Sequence, residues 1–586
     1  MSLEMGLTFL IIGTVFTFLL KGWLSPDYAL FSALALLMLL NVISTEEALK
    51  GFSNEGVLTV ILLLAIGKVV QKSSIIQRIV DTLLSKSKKL SMTLMKMMFP
   101  VSMISAVLNN TPIVAMLLPV VQEWGKKQLI SPSKLLIPLS YAAILGGTIT
   151  LVGTSTNLIL HGLLVEKGQP GFSMFDFAII GIPVALLGIL YISFIGSLFL
   201  PSKTNLSETF QKTQDNFFSE YVIPKGSILS GKTVADGSLR ALKTAYLIKI
   251  KRGKDIFTSP SSTFVLQEGD QLIFSGDVKS IITLHDSNDL ILSEKKRNME
   301  EVKTNGQYME VVISHYSPLI NKRINNSQFR SRYQAVILAI RRKNKVVYSR
   351  VGNERLQPGD TLLLLTTKDF YRTWHHSPDF YFLSSIKPDN KTLTHERTVL
   401  FILGGFLILL SFQLIPILQA ALLTVLSLLF TRVVSFSEFK QSTDLSIYLV
   451  MSCSIGIGYA IENTGIAQLG ANGLLLIYNH LGVFALFVAL YVMTNVLTEI
   501  INNIGSAVMM FPIGYKVAII SGIDPTTIIL LLAIAASLSF ITPIGYQTNL
   551  LIFGPGGYRL MDYVKIGLPL SVLCMFITVS ILVFTI

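Results

Sequence analysis

Apolar runs with brief polar breaks fill residues 1–202 and return over residues 396–586. Between them, residues 203–395 alternate apolar and polar positions over much shorter stretches. A helix needs roughly 20 apolar residues to cross a bilayer core. Residues 179–200, 398–415 and 569–586 are runs of about that length, and residues 6–20 and 28–42 are shorter runs of 15. The pattern predicts a polytopic α-helical membrane protein with a soluble insertion. No basic stretch precedes the first apolar run, so residues 1–20 read as a spanning helix, not a cleaved signal.

The two apolar parts repeat each other. "SAVLNNTPIVAMLLPV", "LVGTSTNLIL" and "MFDFAIIGIPVALLGIL" follow in that order in the first. "TEIINNIGSAVMMFPI", "PIGYQTNLLI" and "LMDYVKIGLPLSVLCMF" follow in the second. Three ordered matches mark an internal duplication, which in a membrane protein is the sequence sign of a secondary transporter. An odd number of crossings per copy would invert the second relative to the first.

The soluble part is duplicated too. "VLQEGDQLIFSG" returns as "RLQPGDTLLLLT", and each follows a run of β-type alternation, "AYLIKIKRGKDIF" and "QAVILAIRRKNKVVY". "EGD" and "PGD" mark tight turns. "KTVADGSLRAL" and "NNSQFRSRY" predict short helices. The expected domains are a first membrane repeat over 1–202, a lobe over 203–292, a linker and second lobe over 293–395, and a second membrane repeat over 396–586.

Each membrane part carries a polar break at mid-span. Asn109, Asn110, Thr111 and Pro112 interrupt the first, between about residues 92 and 123; Glu499, Asn502, Asn503, Gly505 and Pro512 mark the second, between about 495 and 515. Broken backbone leaves unpaired N–H and C=O groups, which persist in a membrane only inside protein or around a wet cavity. Two half-length arms around a polar tip predict a re-entrant hairpin in each part. "GTSTN" (153–157) and "GYQTN" (545–549) add glycine, hydroxyls and an amide at similar depth. Carbonyl, amide and hydroxyl oxygens suit Na⁺, and half-helix N-termini suit an anion. No Arg or Lys lies in these breaks, so dipoles and cations would meet the anion's charge.

Composition narrows the classes. The chain is 51% hydrophobic with mean hydropathy +0.60 and 14% charged, against roughly 25% charged for soluble domains. The net charge of +13 is concentrated between Lys203 and Arg397, and basic charge beside spanning segments marks the cytoplasmic side. No nucleic-acid-binding motif accompanies that charge. Cys453 and Cys574 lie in apolar runs and read as small buried hydrophobes. The lobes lack a Gly-x-Gly-x-x-Gly fingerprint, and the breaks hold no nucleophile–base pair or His-Glu metal motif, so no enzyme is expected. Among single residues, Lys68 and Glu462 are expected to pair locally or to snorkel, and His161 to pack in preference to sensing pH. Glu499, one turn before Asn502, either supports the site or caps the wet edge of the bundle. His375 and His376 read as a solvated loop, and "SEKKRNMEEVK" as a linker.

The paired Asn-Asn tips with the Gly-x-x-Thr-Asn elements behind them resemble the divalent anion/sodium symporters, over nearly the whole of both membrane parts. That family carries sulfate, dicarboxylates or citrate. The resemblance implies two inverted repeats, each with a re-entrant helical hairpin. It implies two Na⁺ sites, one around Ser105, Asn109, Asn110 and Gly153 and one around Thr498, Asn502, Asn503 and Gly545. The substrate would lie near Asn110, Thr111, Thr154, Thr156, Asn503 and Thr548. Both tips depart from the family's Ser-Asn-Thr pattern by beginning with Asn, and Ile504 stands where the second expects Thr. The family's Pro-Pro-Asn is here Ser-Thr-Asn and Gln-Thr-Asn. Two unequal clamps point to a compact oxyanion, sulfate first, although Gln547 could replace the lost donor. The alternatives are a Na⁺-coupled dicarboxylate transporter and a ligand-gated ion channel, for which "GYQTN" is no selectivity filter. The lobes resemble the C-terminal lobe of potassium-conductance regulator domains in tandem. That implies a cytosolic small ligand or a homodimer contact, with the lobes cytoplasmic and the chain in a bacterial-type plasma (inner) membrane.

Overall fold

The computed structural model describes the chain apart from residues 1–2, 22–23, 25, 73–88, 129, 204–217, 238, 240–244, 254, 259, 262, 277–289, 293–306, 315–316, 343–344, 348–350, 367–368, 375–376, 378, 384–395, 443–444 and 586. His375, His376 and nearly all of both polar linkers lie outside the described residues.

The first membrane part holds α1 (Leu3–Lys21), α2 (Pro26–Leu39), α3 (Thr45–Lys50), α4 (Glu55–Lys72), α5 (Leu90–Ser105), α6 (Asn110–Lys127), α7 (Ser133–Gly147), α8 (Ser155–Glu166) and α9 (Ala178–Phe194). In the insertion lie the short helices α10 (Phe329–Tyr333) and α11 (Phe370–Trp374). The second part holds α12 (Glu396–Ser411), α13 (Ile417–Phe430), α14 (Phe436–Ser442), α15 (Leu445–Asn463), α16 (Ile466–Ile500), α17 (Asn503–Ser521), α18 (Pro525–Ser537), α19 (Gln547–Gly556) and α20 (Leu560–Thr585). Among the described residues, six helical stretches are long and apolar enough to cross a membrane. Most helices are apolar around their whole circumference, as elements buried in protein or facing lipid must be.

α7 is buried from Ser133 to Gly147 and forms the centre of the bundle, with α5, α6, α9 and α19 packed on it. α16 is two helices, 466–481 and 483–500, broken at Gly482, where φ 78° lies in the left-handed region open to glycine. The second break therefore carries a longer arm than the polar pattern around residues 495–515 indicates. Leu, Val and Phe continue that arm back to Gly482, and α17 runs on to Ser521.

Two antiparallel sheets of five strands form the insertion. The first contains β1 (Phe218–Val222), β2 (Ala245–Arg252), β3 (Asp255–Thr258), β4 (Gln271–Gly276) and β5 (Ile291–Leu292), in the order β3-β2-β4-β1-β5. The second contains β6 (Gln307–Ile313), β7 (Ala335–Arg342), β8 (Lys345–Val347), β9 (Thr361–Thr366) and β10 (Phe380–Phe382), in the order β10-β6-β9-β7-β8. These are the same order read from opposite ends. Each "GD" turn is pinned alike: Arg252 binds Asp270 through Nε and Nη2, both at 2.8 Å, and Arg342 binds Asp360 at 2.8 and 2.7 Å. "NNSQFRSRY" yields a 3₁₀ turn and α10, whereas residues 234–237 in "KTVADGSLRAL" form a turn.

The second lobe touches the membrane part at α19. The Gly359 carbonyl and the Thr361 side chain lie against Gly554, and Leu550 lies against Gly359. Lys203 closes the same end. Its Nζ donates to the Gly557 carbonyl at 2.7 Å and pairs with Asp562 at 2.7 Å. Ser131 and Ser133, leading into α7, donate to the carbonyls of Lys203 and Pro201 at 2.6 and 2.7 Å.

β2 and β7 each carry a register irregularity at the same place, and the residues after it differ: Lys249 in the first lobe, Ala339 in the second. Lys249 is 1% exposed, and burial pushes its ammonium pKa from 10.5 down to about 8. Between those values the unfolded chain binds the more protons, so the lobe gains stability as pH rises through that window. Lys249→Met should stabilise the first lobe at pH 7 by on the order of 2 kcal/mol. Limited proteolysis within residues 218–276 of the full chain should show a gain at pH 7 that shrinks at pH 9.5. A gain independent of pH would mean the charge is not the cause.

Candidate functional site

α5 ends at Ser105 and α6 begins at Asn110; α16 ends at Ile500 and α17 begins at Asn503. Behind them, α7 breaks to α8 over residues 148–154, and α18 breaks to α19 over residues 538–546. The two pairs of breaks use the same hydrogen bonds. Thr150 Oγ1 donates to the Ala106 carbonyl and accepts the Gly153 N–H at 3.2 Å. Thr542 Oγ1 donates to the Glu499 carbonyl at 2.9 Å and accepts the Gly545 N–H at 3.0 Å. Asn157 Nδ2 donates to the Thr150 carbonyl at 3.0 Å, and Asn549 Nδ2 to the Thr542 carbonyl at 3.4 Å. Ser105 Oγ donates to Asn110 Oδ1 at 2.6 Å, and Thr498 Oγ1 to Asn503 Oδ1 at 3.1 Å. Each threonine thus ties the break before α6 or α17 to the break behind it, satisfying groups that lipid could not.

The two frames meet. Asn110 Nδ2 donates to Tyr546 Oη, and Thr154 Oγ1 lies 3.5 Å from the same oxygen, which also interacts with Asn503. Thr111 Oγ1 donates to Gln547 Oε1 at 3.1 Å, and Asn109 Nδ2 to Ser155 Oγ at 3.1 Å. Asn110, Ser155, Asn503 and Gln547 are the first residues of α6, α8, α17 and α19. Four helix N-termini therefore converge, and their N–H groups and dipole ends favour an anion. Immediately behind lie the C-terminal ends of α5 and α7, with carbonyls that favour a cation. Asn110 is fully buried there, and a Cβ added to Gly147 would stand 2.6 Å from its Oδ1, so only glycine admits the amide.

The residues indicated by the sequence are not all equally placed. Asn110, Thr111, Thr154 and Asn503 gather around Tyr546 and Gln547. Thr548 is fully buried and its hydroxyl lies 2.8 Å from Ser140 of α7, so it joins the halves from behind. Thr156 is buried within α8. Gly153 and Gly545 present their N–H groups to the bracing threonines. Asn502 Oδ1 accepts the Gly505 N–H at 2.7 Å and caps α17.

Glu499, 9% exposed, accepts the N–H groups of Phe540 and Ile541 at 2.8 Å each and of Thr542 at 2.7 Å. It anchors the second break, where the first half has Ala106. Elsewhere, Glu462 pairs with Lys167 at 2.8 Å, and His161 Nδ1 accepts the Phe172 N–H at 2.9 Å. Sequence reasoning did not single out Tyr546, Thr150 or Thr542. The signal for the threonines was present, since "TLVGTSTN" and "TPIGYQTN" both read Thr-x-x-Gly-x-x-Thr-Asn.

A helical membrane body with two matched sets of breaks meeting at neutral polar groups is the architecture of a transporter. The profile described as a citrate transporter (CitMHS) matches residues 9–521, and the chain belongs to that family. An uncharacterized transporter of Synechocystis, sll0640, is 32% identical over 97% of this chain and 95% of its own length. Sodium/sulfate cotransporter 1 of Chlamydomonas reinhardtii is 22% identical over 97% of this chain and 88% of its own. The solved YdaH transporter of Alcanivorax borkumensis is similar at TM-score 0.40 and 11% identity, covering 92% of this chain and 86% of that one. The chain is thus an integral membrane transporter of the citrate transporter and divalent anion symporter type.

Glu499→Gln replaces one accepting oxygen with a donor facing backbone N–H groups. Hydrogen bonds to a charged acceptor are worth about 1.5–3 kcal/mol, so amide exchange at residues 540–542 should quicken by tenfold or more. Unchanged exchange would remove Glu499 as the anchor.

Proposed function

We propose that this chain is a sodium-coupled symporter of a small divalent oxyanion, sulfate first, working by alternating access. The observation that carries the reading is the convergence of four helix N-termini, with helix C-termini and neutral oxygens behind them. The anion would sit against Asn110, Thr111, Thr154 and Asn503, with Thr156 and Thr548 in the surrounding wall. One Na⁺ would lie around Ser105, Asn109, Asn110 and Gly153. A second would lie around Thr498, Asn502, Asn503 and Gly545. Cation binding would assemble each break and offset the charge of the anion, so neither would bind well alone. Sodium and sulfate are supported by the Chlamydomonas relatives, which are named sodium/sulfate cotransporters.

An inverted arrangement of two re-entrant hairpins is part of this proposal. It is supported by the way the halves meet at Lys203: the start of α7 lies there in the first half, but the end of α19, on the far side of the matching break, lies there in the second. The two sheets are proposed as cytoplasmic regulatory lobes, on the positive charge of that segment, taking a small ligand or joining a homodimer.

A second reading is a Na⁺-coupled carboxylate transporter. It is favoured by the family's description and by Gln547, which stands beside Thr111 and offers a polar group in place of the hydroxyl that Ile504 lacks. A thermal-shift panel of sulfate, phosphate, succinate and citrate, each with Na⁺ or an impermeant organic cation, separates the two. A ligand at 100 times its Kd should stabilise the folded protein by about 2.7 kcal/mol. Sulfate in Na⁺ is expected to raise the melting temperature and sulfate without Na⁺ to leave it unmoved. Stabilisation by succinate or citrate alone would establish the second reading. Proteoliposome uptake unaffected by removing the Na⁺ gradient would overturn the coupling.

A further inference from the structure

Tyr546 departs from the symmetry of the two halves. It is the counterpart of Thr154, each preceding the x-Thr-Asn that opens α8 or α19. Thr154 is a short side chain in its own half. Tyr546 instead reaches across, so that its hydroxyl takes the Asn110 amide, lies 3.5 Å from Thr154 Oγ1 and meets Asn503. It is 8% exposed, while Thr111 and Gln547 beside it are more open. One oxygen thus sits where the amides of both tips and a hydroxyl converge. An anion's oxygen placed beside it would reach the same N–H donors.

We propose that Tyr546 is the specificity-determining residue of the anion site, its ring limiting the space between the tips and its hydroxyl serving as a donor to the bound anion. The proposal rests on the anion-symport reading above. A phenol both accepts and donates. With no anion present it accepts from Asn110. When an anion oxygen takes that amide, the O–H is free to turn and donate. This supplies the hydroxyl that the second tip lacks at Ile504. The ring keeps the site short, so a tetrahedral oxyanion fits between the tips, whereas a four-carbon dicarboxylate would need the volume the ring fills. A site that hydrogen-bonds its ligand discriminates strongly, because the wrong occupant leaves buried polar groups unpaired.

The test is Na⁺-driven uptake by the full chain in liposomes, comparing wild type, Tyr546→Phe and Tyr546→Thr with labelled sulfate and succinate. Tyr546→Phe keeps the ring and loses one hydrogen bond, so the KM for sulfate should rise about tenfold with the Na⁺ dependence unchanged. Tyr546→Thr, which restores the symmetry with Thr154, should admit succinate while losing preference for sulfate. If both variants keep the wild-type sulfate KM and exclude succinate, the proposal is overturned. If Tyr546→Thr is not recovered folded, the sulfate KM of Tyr546→Phe decides alone, and a wild-type value rejects the role. Wild type that carries neither anion would sink the symport reading itself, a result distinguishable from failure of the tyrosine's role.

Discussion

A peptide group in hydrocarbon must find its partner within the protein. That constraint shapes the centre of this molecule. The chain interrupts helices at four places within the helical body, and each interruption releases N–H and C=O groups. Thr150 and Thr542 answer it in the same way, each donating to the carbonyl that follows α5's last residue or sits in the last turn of α16, and each accepting from a glycine N–H. Asn157 and Asn549 then hold the threonines' own carbonyls. The breaks are stable because they are braced in pairs, and bracing in pairs brings two helix N-termini together in each half.

Duplication supplies the frame, and departures from it supply the character of the site. Ala106 becomes Glu499, which grips three consecutive N–H groups of the second break. Thr154 becomes Tyr546, and Thr111 becomes Ile504. Each change lies on the second half, so that half is the more heavily built and the less hydroxylated. Tyr141 adds to this by donating to the Phe540 carbonyl at 2.5 Å from the first half. The centre is therefore a joint product of both halves, with α7 and α19 packed against each other. α19 also bears the contact with the second lobe, six residues beyond Thr548, about 9 Å along a helix.

Much of this was legible in the sequence. The apolar runs and the two Asn-Asn breaks announced a broken-helix membrane body, because burial in lipid forbids such residues without a purpose. The repeated "GD" turns announced two like sheets, through a tight turn that only certain residues adopt. The roles of Tyr546 and Thr548 were not legible. Spacing places a residue on a chain, but whether a hydroxyl faces the partner half or a neighbouring helix depends on packing across some 400 residues of sequence. Glu499 was ambiguous for the same reason, as its partners lie 41 to 43 positions away. The length of the arm before Asn502 was underestimated because Gly482 breaks the helix within an unbroken apolar run.

Under the proposed symport mechanism, Asn110 and Asn503, one from each half, hold a single anion. The direct measurement is a double-mutant cycle on sulfate binding in Na⁺, using wild type, Asn110→Ala, Asn503→Ala and the double variant. For one shared site, each single change should remove most of the binding energy and the double should lose little more, since residues serving one ligand are strongly non-additive. Independent, additive losses, or an asparagine whose removal leaves binding intact, would contradict it.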